Sequence, residues 1–254
     1  MSSPDSYAFD LEILTQPDDL TCGPTCLHAV YRYFKDPVSL DDVIAEVPRL
    51  AGGGTLAVNL ANHALRRGYR ALIVTYNLTV FDPSWFSGDR PDLAERLRAQ
   101  AATKQDARLS EATEAYLEFL RLGGELTMED LSPGLLRRWL EQRRPILTGL
   151  SATFLYRSAR EIGDETLSED DVRGVPTGHF VVLCGWDAEN REVEVADPMH
   201  PNPLSPQNRY WVSMVRVVGA IMLGVLTFDG NLLIIEPTKD RRRDVDPAGR
   251  QRPR

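Results

Sequence analysis

Four side chains in this chain have the types and settings for acyl chemistry at a carbonyl: Cys22, His179, Asp197 and Gln16. A cysteine nucleophile needs a base within hydrogen-bond reach, a group that orients the base, and donors for the oxyanion that forms on attack. Cys22 lies in Thr-Gln-Pro-Asp-Asp-Leu-Thr-Cys-Gly-Pro-Thr-Cys-Leu-His-Ala-Val-Tyr-Arg-Tyr-Phe, residues 15 to 34. Behind it Cys26, Ala29, Val30, Tyr33 and Phe34 recur at steps of three and four, which predicts one apolar face of an amphipathic helix. Pro24 suits the first turn of that helix, because the amide it lacks would have no partner there. Cys22 is therefore expected at or just before a helix N-terminus, where free amides and the positive end of the helix dipole favour a thiolate.

Of the four histidines, three are poor bases for this sulfur. His28 lies six positions along the same helix and off the nucleophile's face. His63 sits among Ala61, Asn62 and Ala64 in a helical pattern, where a packed or exposed ring is ordinary. His200 belongs to a proline-rich loop. His179 opens Gly-His-Phe-Val-Val-Leu-Cys-Gly-Trp, an ionisable ring at the mouth of an apolar strand, where burial and a neighbouring charge can tune it. The next strand ends in Val-Glu-Val-Ala-Asp-Pro, at Asp197. If residues 187 to 191 are a hairpin turn, His179 and Asp197 fall opposite or diagonal to one another, the separation at which cross-strand side chains meet. Asp197 can then hold the imidazole and stabilise its protonated form. Gln16, six residues before Cys22, can offer its side-chain amide to an oxyanion beside the Cys22 backbone amide.

Other uses of these residues are open at this level. Cys22 could be a packed thiol, as Cys26 and Cys184 are expected to be from their apolar surroundings. Cys22, Cys26, His179 and His200 could in principle form a zinc site, though Cys-x-x-x-Cys on one helix lacks the usual knuckle spacing. Asp197 could cap the turn before Pro198. The acidic run from Ser158 to Pro176 reads as a surface loop that could select basic groups on a substrate.

The elements that must place these groups follow from periodicity. Phe9, Leu11 and Ile13 alternate with Asp10 and Glu12 as in a short strand. Ser39 is an N-cap for a helix ending at Pro48. A glycine-rich loop then leads to a helix over 56–67 that Gly68 closes. Gly53, Gly54 and Thr55 of that loop, where backbone can approach a ligand closely, and Gly178 beside His179 are the candidate substrate-facing positions. A strand covers 69–76. A helical insertion fills about 83–144, with helices over 92–105, 110–122 and 132–143. Strands follow at 145–150, 179–186 and 191–197, a helix at 210–226, and a buried strand at 231–236. Helices first and strands later is the α+β pattern. Residues 1–237 read as one domain, and 238–254 as a disordered basic tail with seven Lys/Arg against three Asp and almost no apolar residue.

Composition narrows the functions. In 254 residues the formal net charge is −8, the wrong sign for neutralising phosphates, so no nucleic-acid partner is expected. The most membrane-like stretch, 215–226, is too short to span a bilayer, and the first residues carry no secretory pattern. Three cysteines make no disulfide framework, which points to a reducing cytoplasm.

Gln, then Cys-Gly six residues later opening the first long helix, then Gly-His-Phe-Val-Val-Leu and a later Asp-Pro, resembles the papain-like cysteine peptidases. The likeness is to the bacteriocin-processing branch that trims double-glycine leader peptides, here as a stand-alone chain. The resemblance implies a papain-like α+β fold, a helical lobe packed on an antiparallel sheet. It also implies Cys22 as nucleophile, His179 as base, Asp197 as orienter and Gln16 as oxyanion donor, acting on a peptide or amide with no metal or organic cofactor. An amine acceptor would make the same four residues an acyltransferase or transpeptidase, and a member without turnover would bind peptides only. The membrane and ATPase segments of the transporter-linked members have no counterpart in this sequence.

Overall fold

A computed structural model describes residues 6–50, 53–88, 91–163 and 168–238. The basic tail expected over 238–254 therefore lies, from residue 239, outside the described residues. An eight-stranded sheet organises the rest. Its strands are β1 (Ser6–Ala8), β2 (Tyr69–Thr75), β3 (Glu125–Thr127), β4 (Ile146–Ser151), β7 (Gly178–Asp187), β8 (Glu192–Ala196), β9 (Arg209–Ser213) and β10 (Asn231–Pro237), while β5 (Glu161–Ile162) and β6 (Ser168–Glu169) pair apart from it. The order across the sheet is β3-β2-β10-β4-β7-β8-β9. All pairings are antiparallel except β2 with β3. Ten-residue β7 is central: β4 takes one stretch of its edge and β1 the next, and β8 takes the other edge.

Helix α1 (Cys22–Tyr33) packs against β7 and β4 and is flanked by α2 (Leu40–Glu46) and α3 (Ala57–Arg66). The sequence predicts one apolar face for α1. Instead every residue from Gly23 to Tyr31 is buried. Two of the polar side chains this encloses are satisfied internally, as buried polar groups generally are, while His28 Nδ1 has no protein partner among the described residues. Thr25 donates to the Thr21 carbonyl at 2.8 Å, and Tyr31 reaches His63 Nδ1 at 2.8 Å. His63 Nε2 is in turn 2.9 Å from Glu46, so His63 ties three helices together.

Several predicted elements are found with small boundary changes. Ser39 caps α2 through the Asp42 amide. The insertion holds α4 (Leu93–Thr103), α5 (Ala107–Arg121) and α6 (Pro133–Glu141), each begun by an Asp or Ser that accepts from an amide three residues on. Short β3 lies between the last two and is not apparent in the sequence pattern.

Two expectations are corrected. Residues 9–13 are not a strand; β1 precedes them. Phe9 and Leu11 are buried as their alternation requires, but their carbonyls accept from the Arg209 guanidinium at 3.1 and 2.9 Å rather than from a ladder. The apolar helix expected over 210–226 is β9 followed by α8 (Met214–Leu223) and a short 3-10 turn. Tyr210 and Val212 are buried while Trp211 and Ser213 are exposed, which is strand alternation. Ser213 then starts the helix by accepting from the Arg216 amide.

Candidate active site

Cys22 is the first residue of α1 and is half-buried. Thr21 ahead of it spends its hydroxyl on the Asp18 carbonyl at 3.1 Å, so no side chain caps the helix start. Pro24 has no amide and that of Thr25 donates to the Thr21 carbonyl at 3.0 Å, which leaves those of Cys22 and Gly23 without an intrahelical acceptor. Close packing seats this turn. A Cβ on Gly23 would stand 2.8 Å from Thr55 and 3.2 Å from Phe180, so the residue after the thiol must be glycine for the helix to lie this near β7. Cys26, one turn on, is fully buried and donates to the Phe180 carbonyl at 3.2 Å. Burial pushes its thiol well up.

His179 and Asp197 meet across β7 and β8. His179 Nε2 lies 2.8 Å from Asp197 Oδ1. With Nε2 so engaged, Nδ1 is the ring nitrogen left for the Cys22 sulfur, whose electrostatic influence reaches the ring. Cys22, His179 and Asp197 are thus brought into one cluster. Burial by itself would lower the His179 pKa, but the Asp197 charge and hydrogen bond, with those of Cys22, raise it to about 10. The direction favours the protonated ring.

A bulge makes this meeting possible. Near the turn Gly185 pairs with Glu194 and Trp186 with Val193; beyond it Leu183 pairs with Val195 and Val182 with Ala196. Cys184 is the extra residue. Carried on unshifted, the first register would set Asp197 opposite Val182, on the far face from His179. The shifted register sets it opposite Val181, diagonal to His179 and on its face. The Cys184 carbonyl, which leaves this ladder, accepts from the Phe9 amide at 2.8 Å.

Asp197 is wholly buried and saturated with donors. Oδ1 takes His179 and the Met199 amide, the latter at 3.0 Å. Oδ2 takes the Tyr156 and Tyr210 hydroxyls, each at 2.7 Å. Burial pushes the carboxyl up, but the His179 charge and these bonds hold it below the usual carboxylate range. Burial and the nearby Asp197 charge in turn push both phenols far up. Neither tyrosine was apparent as a site residue. Tyr156 ends the short helix α7 (Ala152–Tyr156), and Tyr210 lies on the strand that the sequence reads as helix. Only the inward alternation of Tyr210 with Val212 could have signalled it.

Gln16 is beside this cluster, its amide nitrogen donating its backbone N–H to the Pro198 carbonyl at 2.9 Å. Its side-chain Nε2, however, donates to the Asp18 carbonyl at 2.9 Å, and Oε1 is buried with no protein partner among the described residues. The glycine loop comes close to the thiol stretch. Gly53 and Gly54 have φ of +84° and +70°, and a Cβ on Gly53 would be 3.0 Å from Leu20. Thr55 donates to the Pro48 carbonyl at 2.8 Å and packs on Gly23. Gly178 has a packing role: a Cβ there would meet the Thr227 hydroxyl at 2.6 Å.

The zinc grouping is not assembled. His200 is exposed in the loop after Asp197, Cys26 is engaged by the Phe180 carbonyl, and among the described residues no three His, Cys, Asp or Glu side chains are arranged to hold a metal ion. Among the described residues no helix is long and apolar enough to cross a membrane.

No family model and no curated protein matches this chain. Similar solved structures exist. One is a C39-like peptidase from Bacillus anthracis, 14% identical over 91% of this chain and 96% of that one, with a TM-score of 0.49. Another is a double glycine motif protease from an AMS/PCAT transporter in complex with the leader peptide, 16% identical over 91% and 94% of the two chains, TM-score 0.42. A third is xylellain, a cysteine protease from Xylella fastidiosa, 11% identical over 94% and 88%, TM-score 0.44.

Proposed function

We propose that this protein is a cysteine peptidase or amidase that works through a thioester on Cys22. The observation that carries the reading is the His179 ring. It bonds a fully buried carboxylate through one nitrogen and keeps the other for a half-buried thiol at a helix start, close enough for the two to act on each other electrostatically. An imidazolium beside sulfur is the partner a nucleophilic thiolate needs.

In this reading the Cys22 thiolate attacks the carbonyl carbon of a peptide or amide, and the carbonyl electron pair moves onto oxygen. The Cys22 backbone amide donates to that oxyanion. Gln16 joins it once its side-chain amide leaves the Asp18 carbonyl for the stronger acceptor. His179 gives its proton to the departing amine as the C–N bond breaks, leaving a thioester. The neutral ring then takes a proton from water as that water adds to the thioester, and the thiolate departs. Asp197 keeps the ring oriented throughout. Gly53, Gly54 and Thr55, beside Leu20 and Gly23, are the backbone along which an extended substrate would lie, with Gly178 flanking His179. The chemistry calls for no metal or organic cofactor, and the site is suited to a cytoplasmic setting in which the thiol stays reduced.

The test is labelling with an electrophilic peptide probe. Wild type should form one adduct, mapped by mass to Cys22, and Cys22→Ala should form none. His179→Ala should react at least about 10³-fold more slowly at pH 7. Equal labelling of wild type and His179→Ala would remove the base from the reading. Product masses with an added amine then divide hydrolysis from acyl transfer.

A further inference from the structure

In a site sealed from water, a carboxylate and an imidazolium compete with their neutral forms. The single proton between His179 and Asp197 can sit on nitrogen, giving an ion pair, or on oxygen, giving two neutral groups. Burial favours the neutral pair, because each charge must be solvated by fixed groups instead of water. What decides is the set of donors offered to the carboxylate. Asp197 has two beyond His179 and the Met199 amide: the hydroxyls of Tyr156 and Tyr210, both 2.7 Å from Oδ2. Neither phenol is placed by chance. Tyr156 comes from α7 and Tyr210 from β9, on separate sides of the carboxylate, and the Tyr156 ring also leans on the His179 ring at 6.2 Å between centroids. The groups facing Asp197 are His179 from β7, Cys26 from α1, the Met199 amide and these two tyrosines.

We propose that Tyr156 and Tyr210 are positioning residues that keep the shared proton on His179 rather than on Asp197, and thereby keep Cys22 paired with an imidazolium. Two neutral phenols stabilise the anion without adding charge. They also donate to both lone pairs of Oδ2, so moving the proton onto Oδ1 would weaken both bonds by removing the charge they stabilise. Without them the proton would move to Asp197, His179 would become neutral, and the thiolate would lose its counter-ion. The inference rests on the thiol–imidazole reading above, but it concerns where a proton resides and can be read without any turnover.

The experiment uses full-length protein labelled with ¹⁵N-histidine, with His179→Gln to assign the resonance. At pH 7 wild-type His179 is expected to give imidazolium nitrogen shifts. In Tyr156→Phe/Tyr210→Phe the same ring should show neutral-imidazole shifts, and alkylation of Cys22 by iodoacetamide, followed by mass, should slow at least about tenfold, the worth of one charge-assisted bond. Each single Phe variant should move in the same direction by less, and these stand in if the double variant does not fold. In an Asp197→Asn background, where there is no charge to stabilise, the two Phe substitutions should change the alkylation rate less than twofold. Retention of the imidazolium in the double variant, or an equal slowing in the Asp197→Asn background, would overturn the proposal. Loss of the imidazolium in a protein that cleaves no peptide or amide would leave it standing and count only against the peptidase reading.

Discussion

Asp197 and Asp229 are both buried carboxyls, at 0% and 6% exposure, yet they are driven in opposite directions. Asp197 has four donors on its two oxygens, one of them the His179 ring, and it is held below the usual carboxylate range. Asp229 receives the Ala57 amide at the start of α3, has no protein partner for Oδ1 among the described residues, and is pushed by burial to about 7. The charge that opposes this is Arg108, whose guanidinium donates to the Thr227 carbonyl at 2.9 Å. Burial is thus nearly the same for the two, and the facing His179 charge, together with the number of donors, decides. A carboxyl becomes a dependable anion in this fold only where the chain supplies hydroxyls and amides to both oxygens.

The largest break in that contrast comes from Asp197→Ala. It leaves an imidazolium and two phenols facing a cavity, and removing one partner of a buried pair costs about 3–5 kcal/mol. Chemical denaturation should read that loss, and labelling of Cys22 by a peptide electrophile should fall to the His179→Ala level. A variant that keeps wild-type stability would mean that water reaches and solvates His179.

Asp229→Asn should act the other way, and its sign depends on pH. A carboxyl whose folded pKa lies above its unfolded value contributes stability that is complete below about pH 4. That stability is lost as the unfolded chain ionises first, between about pH 4 and the folded value of about 7. Asparagine cannot ionise, so the variant should match wild type near pH 4 and exceed it by about 2–4 kcal/mol at pH 8. Melting curves at the two pH values check this; a variant less stable than wild type at pH 8 would show that the anion is welcome there. Asp197 supplies the opposite trend and His179 the same one. The Asp197 part fades only as pH falls through its depressed folded pKa. The His179 part fades as pH rises from the ordinary histidine value toward about 10.

A smaller effect is expected from Gly149→Ala. A Cβ there would lie 2.5 Å from Asp229 Cβ, so Asp229 must withdraw from its bond to the Ala57 amide. Overpacking of this kind costs about 1–3 kcal/mol. Labelling of Cys22 should change by less than about threefold if Asp229 serves packing alone. An effect as large as that of Asp197→Ala would tie the two carboxyls together.

The parts of the site that depend on local pattern were legible. Pro24 in a first helical turn, the three- and four-residue spacing behind Cys22, and an ionisable ring at the head of an apolar strand are statements about neighbours in sequence. They located Cys22, His179 and Asp197 on the right elements. Where neighbours in space override local period, the reading failed. Tyr210 to Met214 alternates like a strand, but the apolar run after it is long enough to read as one helix, and only pairing with β8 separates the two. The face of α1 expected to meet water is covered by other elements, and nothing in its own residues announces that.

The amino-acid sequence by itself determined which groups are present, and that each ends or begins an element, because helix starts, strand alternation and proline breaks are local properties of the chain. The tertiary structure alone decided their alliance. Cys184, one bulged residue in β7, turns Asp197 onto the face of His179, and two tyrosines from separate elements converge on its outer oxygen. Register and convergence are set by the packing of distant segments, and side-chain alternation with a period of two makes a single residue of shift the difference between a shared face and opposite ones.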